Sequence, residues 1–374
     1  MSEDDKLIPI NLPQIGEEEV EAVVKVLRSG LLTHALGEGP MVTQFEQKFA
    51  RFAGVKYAVA VNTGTAALHS AVIAAGIKQG DEIILPSFTF VATAEAVVLA
   101  GAKPCFVDID PETYNISLKG IENGITKKTK AVMPVDVYGL PADMQPIKEI
   151  ADKHDLLIIE DAAQAHGAAY KGKPAGVLAD AACWSLYASK NMTAGEGGVI
   201  TTDNDGMAGT MRSLRTHGEK EKYMSLIFGY NYRMSEIQAA VGCAQLEKLP
   251  NFLAKRRENA KRLTETFKET DKLQLPNEPK GFSHSWYLYT VRLRDSTEEE
   301  RNRIVDELRK KGIGAEVYYK NPVHLMPYYS KTFGKHRLPE TEKAAKQVFS
   351  LPVHPGVTEE QIDYIGKTLL HVLG

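Results

Sequence analysis

One lysine followed by a glycine-rich turn is well placed in this sequence for covalent chemistry. Lys190 follows a short apolar run, residues 181–186, and precedes a glycine cluster that leads into a second apolar run. Burial disfavours the charged form of an amine, and a neutral lysine amine condenses with carbonyl groups. The alternative for Lys190 alone is an ordinary surface lysine in a glycine turn. A second group elsewhere in the chain is therefore needed to decide between the two.

A carboxylate that ends another apolar run supplies this second group. Asp161 closely follows residues 156–159, which are Leu-Leu-Ile-Ile. Ligands of open α/β sheets bind beyond the carboxyl ends of the strands, whereas the alternative role of Asp161 is to cap the next helix. In pyridoxal phosphate enzymes a lysine forms a Schiff base with the cofactor, and an acid keeps the pyridine nitrogen protonated. Lys190 and Asp161 together predict this cofactor.

A candidate phosphate site lies much earlier in the chain. Residues 57–68 predict a strand, a glycine turn and the start of a helix, which would leave the backbone N–H groups of Gly64, Thr65 and Ala66 free to hold an anion. The segment lacks the Gly-Lys-Ser/Thr of a Walker loop and is not a GxGxxG motif. An ordinary strand–helix turn explains Gly64 equally well.

The elements that must position these residues alternate between strand and helix. Strands are predicted at 57–61, 82–85, 105–107, 131–134 and 156–159, and helices at 17–28, 40–53, 65–75, 89–99, 118–125 and 144–153. This alternation predicts an α/β fold, in which a mostly parallel central sheet is flanked by helices.

The pattern changes near residue 233. A helix is predicted at 234–249, with Pro250 kinking or ending it, and a charged connecting helix at 252–270. A strand at 286–292, a helix at 298–311, a strand at 315–319 and a final helix at 359–373 follow, which is the pattern of a small α+β unit. We therefore expect a large domain, residues 1–245, and a small C-terminal domain, residues 246–374.

Composition excludes several classes of protein. The formal net charge is −3 and the lysines and arginines are scattered, so we expect neither nucleic acid nor an anionic membrane as a partner. The three cysteines are too far apart for a metal site and odd in number, which favours a reducing cytoplasm. Residues 1–6 are acidic and polar, unlike the start of a signal peptide. No stretch is long and apolar enough to span a bilayer.

Several motifs together carry a resemblance to a known family. In chain order they are Gly39-Pro-Met-Val-Thr-Gln-Phe-Glu, Asn62-Thr-Gly-Thr-Ala-Ala-Leu, Gly80-Asp-Glu-Ile, Ile159-Glu-Asp-Ala-Ala-Gln-Ala-His-Gly, residues 185–198, Gly229-Tyr-Asn-Tyr-Arg-Met and His324-Leu-Met-Pro. The chain resembles the DegT/DnrJ/EryC1/StrS sugar aminotransferases over nearly its whole length. These are fold-type-I pyridoxal phosphate enzymes, so the resemblance implies that fold and that cofactor.

The resemblance also implies a role for individual residues. Lys190 matches the Schiff-base lysine, which also moves the proton during transfer, and Asp161 matches the partner of the pyridine nitrogen. Gln164 matches the side chain facing the phenolic oxygen of the cofactor. The remaining matches are Ser185 with the backbone of Gly64, Thr65 and Ala66 for the phosphate, Phe90 for the ring stacked on the pyridine, and Asn231 for a contact from the neighbouring subunit of a homodimer with shared active sites.

Four positions leave alternatives open. Phe88 is a near neighbour of Phe90 and competes with it for the stacking role. His166 fits a packed histidine better than a catalyst. His324 lies in a segment that the family uses near the sugar substrate of the neighbouring subunit, and contact and no contact are equally expected. Asp136 occupies a position where many relatives carry histidine, which leaves the substrate contacts of its loop open.

The expected function is a ping-pong transfer of an amino group, from L-glutamate by family analogy, to a keto-sugar, with a nucleotide-linked 4-keto-6-deoxy sugar preferred. A 3-keto sugar or a cyclitol ketone is the alternative substrate. The dehydratase branch of the family carries histidine in place of the lysine, which disfavours that reaction here. A non-catalytic regulator on the same scaffold is a further alternative, although it should have lost the cofactor-binding residues that this chain retains.

Overall fold

Fifteen strands and twelve helices run through residues 7–374, the part of the chain that the structure, a computed structural model, describes. The strands are β1 (Tyr57–Val61), β2 (Glu82–Pro86), β3 (Lys103–Val107), β4 (Thr129–Val132), β5 (Leu157–Asp161), β6 (Ala169–Tyr170), β7 (Lys173–Pro174), β8 (Ala181–Ser185), β9 (Gly198–Thr202), β10 (Glu219–Glu221), β11 (Met224–Ser225), β12 (Leu273–Gln274), β13 (Phe282–Ser283), β14 (Tyr289–Leu293) and β15 (Val348–Leu351). The helices are α1 (Glu17–Ser29), α2 (Pro40–Ala53), α3 (Gly64–Ala74), α4 (Ala92–Leu99), α5 (Leu118–Gly124), α6 (Met144–His154), α7 (Asp205–Leu214), α8 (Glu236–Phe267), α9 (Glu298–Lys310), α10 (Pro327–Phe333), α11 (Pro339–Gln347) and α12 (Glu359–Leu373). The acidic start of the chain, for which the sequence predicts no signal peptide, lies outside the described residues.

The central sheet has seven strands in the order β1-β9-β8-β5-β4-β2-β3. Neighbouring strands are parallel from β8 to β3, and β9 is antiparallel to both of its neighbours. Apolar clusters lie on both faces of this sheet, where helices pack against it. The predicted α/β class, with a mostly parallel sheet flanked by helices, is confirmed.

Parallel strands place the candidate functional residues at one edge of the sheet. β5 ends at Asp161 and β8 ends at Ser185, and these two strands are parallel neighbours. Antiparallel β9 begins at Gly198, beside Ser185, so the turn that carries Lys190 stays at the same edge. The carboxyl end of β1 pairs with Gly198 and leads directly into α3. Residues far apart in sequence are therefore brought to a common edge.

The C-terminal part of the chain forms its own core. The sheet β12-β14-β15 packs with α9, α12 and the second half of α8 around an apolar cluster that includes Phe267, Tyr289 and Phe349. We propose that residues 1–245 and 246–374 are the two domains of the chain, as the sequence predicts. The proposed boundary lies inside α8, which packs against α1 and α2 at one end and against α12 at the other.

Two predicted elements are wrong, and the start of a third is shifted. The two helices predicted around Pro250 are the single helix α8, which continues through the proline. The strand predicted at 315–319 is only an isolated bridge between Glu316 and Ser350. The helix predicted from residue 89 begins at Ala92, because the preceding residues form a turn in which Thr93 N–H donates to the Phe90 carbonyl.

Of the helices formed by residues 7–374, none combines the length and the apolar character that a membrane crossing requires.

Candidate active site

A cavity of about 630 Å³ opens at the carboxyl edge of β5 and β8. Its walls come from both parts of the chain, because strand ends of the large sheet meet a loop near residue 319. The lining residues are Thr63, Gly64, Thr65, Leu68, Thr89, Phe90, Ala92, Thr93, Asp161, Ala163, Gln164, Ser185, Tyr187, Ser189, Lys190, Glu196, Tyr287, Tyr318 and Tyr319. Seven of the predicted site residues are among them.

The start of α3 forms one end of this cavity. Thr63 caps the helix, and its Oγ1 accepts a hydrogen bond from the Ala66 N–H at 3.0 Å. The N–H groups of Gly64 and Thr65 precede the first intrahelical hydrogen bond, and they lie at the positive end of the helix dipole. The cap thus engages the Ala66 amide, whereas the Gly64 and Thr65 amides are left for an anion.

Gly64 lets strand β8 approach the start of this helix closely. A Cβ atom on Gly64 would lie 3.0 Å from Ser185 Cβ and 3.3 Å from Ser185 Oγ. The Ser185 hydroxyl therefore lies beside the two amides, and a side chain at residue 64 would fill the space between them. A hydroxyl and two N–H donors form a suitable cradle for a phosphate group.

Asp161 is a buried carboxylate held by two hydrogen bonds. Thr93 Oγ1 donates to its Oδ2 at 2.7 Å, and the Ala163 N–H donates to its Oδ1 at 3.2 Å. Burial raises the pKa of Asp161, while the hydrogen bonds from Thr93 and Ala163 and the charge of Lys190 oppose that rise. A cation in the cavity would compensate this buried charge, as a protonated pyridine nitrogen does.

Gln164 lies beside Asp161 with both ends of its amide engaged. Its Oε1 accepts the Tyr138 N–H at 2.7 Å, and its Nε2 donates to the Tyr319 hydroxyl at 2.9 Å. These two contacts fix which end of the amide faces the cavity. The donor end faces the cavity side, where it can approach an anionic oxygen.

Lys190 lies in the turn between β8 and β9, with its backbone N–H donating to the Tyr187 carbonyl at 2.9 Å. Its Nζ lies 4.6 Å from the centroid of the Tyr287 ring, and the Tyr287 hydroxyl is 3.0 Å from Ser189 Oγ. The ring of Tyr287 therefore packs against the Lys190 amine, and its hydroxyl forms a hydrogen bond with the turn that carries Lys190.

The two candidate stacking rings have opposite environments. Phe90 is 58% exposed and lines the cavity, whereas Phe88 is fully buried among Tyr114, Tyr138 and Tyr319. An exposed phenyl ring at a cavity wall is available to stack on a planar ligand. Of the two rings, Phe90 is thus the one that lines the cavity, and its stacking role stays a prediction.

Three predicted or weighed residues lie away from the cavity. His324 is 1% exposed, and its Nδ1 is 2.6 Å from Ser87 Oγ, so its ring does not reach the cavity within this chain. Asn231 is exposed beyond the start of α3. His166 is packed between Phe49 and Trp184, and burial lowers its pKa to about 3.

Three aromatic lining residues and one polar contact were not predicted from the sequence. Tyr287, Tyr318 and Tyr319 line the cavity, and Thr93 donates a hydrogen bond to Asp161. No local pattern distinguishes Tyr287 from other tyrosines. The adjacent pair Tyr318-Tyr319 does lie close to His324, in a segment already associated with the substrate, and that proximity was the available signal.

The residues present fit pyridoxal phosphate. The cradle at Gly64, Thr65 and Ser185 suits its phosphate, the buried Asp161 suits its ring nitrogen, and the amine of Lys190 opens on the same cavity. The space that a Cβ atom on Gly64 would fill is the structural feature that most directly supports this fit.

Comparison with known proteins agrees with this geometry. The family model of the DegT/DnrJ/EryC1/StrS aminotransferases matches residues 13–370. The chain belongs to this family. The GDP-perosamine synthase of Caulobacter vibrioides is 39% identical over 373 residues, which cover 98% of each chain.

Solved structures extend the similarity to the fold. DesV from S. venezuelae superposes with a TM-score of 0.90 at 34% identity, covering 95% of this chain and 94% of DesV. The Streptococcus pneumoniae protein Spr1654 in its PLP form has a TM-score of 0.92 at 30% identity, and the match covers 98% of each chain. The chain is thus a pyridoxal-phosphate-dependent enzyme of the sugar aminotransferases, with the fold-type-I architecture that the sequence predicts.

Proposed function

We propose that this enzyme transfers an amino group from L-glutamate to a nucleotide-linked 4-keto-6-deoxy sugar. The main support for the proposal is that the Lys190 amine, the Asp161 carboxylate and the α3 phosphate cradle line the same cavity. The name of the Caulobacter relative, a GDP-perosamine synthase, supports a nucleotide-linked amino sugar as the product class. The absence of histidine at position 190 separates the chain from the dehydratase branch.

Each side chain has a separate task in this proposal. Bound pyridoxal phosphate supplies an electron sink for the electron pair released when a C–H bond beside the amine is broken. Lys190 Nζ would move the proton from that carbon to the cofactor in the half-reaction with the amino donor, and in the opposite direction, from the cofactor to the sugar carbon, in the half-reaction with the keto substrate. Asp161 holds the proton on the ring nitrogen, and Gln164 donates a hydrogen bond to the phenolic oxygen. Phe90 packs on one face of the ring and helps to exclude water.

We propose a homodimer as the active form. Asn231 is exposed, and the hairpin of β10 and β11 that precedes it displays large apolar side chains. The most exposed of these are Tyr223 and Phe228, at 84% and 80%. Burial of such a surface against a second copy would be favourable and would carry Asn231 towards the partner's cavity. Analytical ultracentrifugation of the wild type and of Phe228→Asp tests this, with a shift towards monomer expected for the variant.

An absorbance experiment tests the reaction class. Purified protein with pyridoxal phosphate should show a visible band from the lysine-bound cofactor, and L-glutamate should replace that band by the near-ultraviolet band of the aminated cofactor, with release of 2-oxoglutarate. Lys190→Ala is the matched control and should give neither the band nor turnover. Turnover by Lys190→Ala at the wild-type rate would overturn the assignment of Lys190.

The keto substrate is tested with enzyme that carries the amino group. Return of the visible band on adding a nucleotide-linked 4-keto-6-deoxy sugar is the expected result. A response only to a 3-keto sugar or to a cyclitol ketone would move the proposal to that substrate. If the cofactor binds and L-glutamate leaves the spectrum unchanged while another amino acid changes it, the proposed donor is wrong.

A further inference from the structure

Two buried carboxyl groups lie next to the active site and take no part in the chemistry proposed above. Asp136 and Glu160 are both fully buried, and Glu160 directly precedes Asp161 in β5. The backbone N–H of Asp136 donates to the Asp161 carbonyl at 3.1 Å. Successive side chains of a strand point to opposite faces, so Glu160 faces away from the cavity that Asp161 lines.

In each carboxyl group of the pair, one oxygen accepts a hydrogen bond from the backbone and the other has no donor among the described residues. Asp136 Oδ1 accepts the Ala142 N–H at 2.8 Å, and Glu160 Oε1 accepts the Gly176 N–H at 2.9 Å. Asp136 Oδ2 and Glu160 Oε2 are buried and have no donor among residues 7–374. Val135 pairs with Asp161 in a parallel bridge, so the side chains of Asp136 and Glu160 both point to the opposite face of the sheet. Two carboxylates contain only acceptors, so a hydrogen bond between them requires one proton.

The surrounding charges favour retention of that proton. Burial raises the pKa of Asp136 well above its ordinary value, and the neighbouring Glu160 and Asp161 raise it further. Burial also raises the pKa of Glu160, while its hydrogen bonds to Asp136 and Gly176 oppose that rise. The Cys183 thiol of β8 is in register with Asp161, so it points to the opposite face of the sheet and not towards the pair. No described lysine, arginine or histidine forms an ion pair with either carboxyl group.

The loop that Asp136 closes also orients Gln164. Its hydrogen bond to Ala142 spans residues 136–142, and inside that span the Tyr138 N–H holds Gln164 Oε1. Tyr138 has a φ of +62°, a left-handed conformation that costs free energy for a bulky side chain. A strained turn persists only while the contacts around it hold, and the Asp136 carboxyl group supplies one of those contacts.

We propose that Asp136 and Glu160 share one proton at neutral pH, and that this proton holds the 136–142 loop in the conformation that orients Gln164. Asp136 is thereby a positioning residue. Loss of the proton in alkaline solution leaves two carboxylates facing each other without a cation, and their repulsion releases the loop. The link to the cofactor rests on the function proposed for Gln164, whereas the shared proton does not.

Infrared spectroscopy of the holoenzyme tests the proton directly. The wild type should show the carbonyl stretch of a buried protonated carboxyl group at neutral pH, and this band should disappear in alkaline solution. Asp136→Asn and Glu160→Gln should both lack it, because the amide replaces the shared proton with its own N–H donor. A wild type without such a band at neutral pH would overturn the proposal, even if neither variant folds.

The pH dependence of stability gives a second test. Unfolded Asp and Glu titrate near pH 4, so above that pH the folded pair binds one more proton than the unfolded chain. Its stabilising contribution is complete below about pH 4 and declines as the pH rises, by about tenfold in the unfolding constant per pH unit, until the folded pair itself titrates. Asp136→Asn should remove this slope. An Asp136→Asn variant with the wild-type slope would contradict the shared proton.

The bound cofactor reports on the loop. In the wild type, cofactor absorbance and affinity should change in alkaline solution together with loss of the infrared band. Asp136→Asn should suppress this alkaline change, and Asp136→Leu, which cannot bond to Ala142, should bind the cofactor more weakly at every pH. If the wild type shows the infrared band but cofactor absorbance and affinity are the same in all variants, Asp136 has no positioning role. If the infrared, stability and cofactor measurements give the expected results but the enzyme transfers no amino group, only the proposed function is contradicted.

Discussion

The side-chain nitrogen of Lys190 lies 4.6 Å from the centroid of the Tyr287 ring, and the hydroxyl of that tyrosine is 3.0 Å from Ser189 Oγ. The aromatic ring and the turn that carries the lysine are therefore fixed to each other. Such a contact between an amine and a ring contributes about 0.5–2 kcal/mol, depending on its exposure to water. The ring belongs to the C-terminal part of the chain, so both parts contribute to the environment of the amine.

Replacement of Tyr287 should separate the role of the ring from that of the hydroxyl. Tyr287→Leu removes both and should lower the rate of the half-reaction with the amino donor by about tenfold, as expected for a loss of about 1.4 kcal/mol. Tyr287→Phe keeps the ring and should lose less. Stopped-flow absorbance measures both rates, and equal losses in the two variants would assign the effect to the hydroxyl.

Gly64→Ala should weaken cofactor binding without unfolding the protein. The new Cβ would lie 3.0 Å from Ser185 Cβ, in the space between the helix amides and the serine hydroxyl. We expect the Kd for pyridoxal phosphate to rise by at least tenfold in fluorescence titration. Gly209→Ala in α7 is the matched control, since its Cβ meets nothing within 4 Å, and it should stabilise the protein by about 0.5–1 kcal/mol. Unchanged cofactor affinity in Gly64→Ala would contradict the phosphate cradle.

Thr93→Val should change the acidic limb of the pH–rate profile. The Thr93 hydroxyl donates to Asp161 and lowers the pKa of that carboxyl group against the effect of burial. Without this hydrogen bond the pKa of Asp161 rises, so the ionised form is lost at a higher pH and the acidic limb moves upward. Thr89→Val is the control, because Thr89 contacts Thr93 but not Asp161, and it should shift the limb less. A shift to lower pH would refute this role of Thr93.

The buried ion pair between Arg215 and Glu46 should dominate the stability of the region around α2 and β1. Arg215 is fully buried and also donates to the Ala60 carbonyl at 2.9 Å. Arg215→Met leaves the Glu46 carboxylate buried without its cation and should cost about 3–5 kcal/mol in the free energy of unfolding. Thermal unfolding measures the loss, and adding Glu46→Gln should recover part of it.

An exposed pair provides the comparison for that prediction. Lys148 and Asp152 are one helical turn apart on α6, and both are solvent-exposed. Asp152→Ala should change the free energy of unfolding by less than about 1 kcal/mol. A loss as large as that of Arg215→Met would show that burial is not the decisive difference between the two pairs.

Local chemistry made much of the fold predictable. α2 has the predicted limits because Pro40 suits the first helical turn and Gly54 ends the helix with a positive φ. Pro250 misled the prediction because tertiary packing on both halves of α8 outweighs the missing N–H of one proline. β15 was missed because its four residues acquire their strand conformation only by pairing with β14.

The candidate site also contains some residues that the sequence predicts and others that it does not. That Lys190, Asp161 and Gly64 lie together was predictable because each follows or precedes a recognisable strand, whereas their chemical roles stay predictions. Tyr287 and Thr93 were not predictable, since their roles depend on contacts across the fold that no neighbouring residue announces. The role of His324 stays a prediction, because its ring lies beside Ser87 in this chain and the contact that the resemblance implies is with the cavity of the neighbouring subunit.

The residues that line the cavity fall into two groups that are synthesised at different times. The phosphate cradle, Asp161 and Lys190 all precede residue 191, whereas Tyr287, Tyr318 and Tyr319 all follow residue 286. N-terminal units fold first during synthesis. A nascent chain can therefore assemble the sheet edge while the amine is still open to small carbonyl compounds in the surrounding water. The tyrosines that cover the Lys190 amine are synthesised only with the last third of the chain. The order of synthesis therefore determines how long this amine stays exposed to solvent.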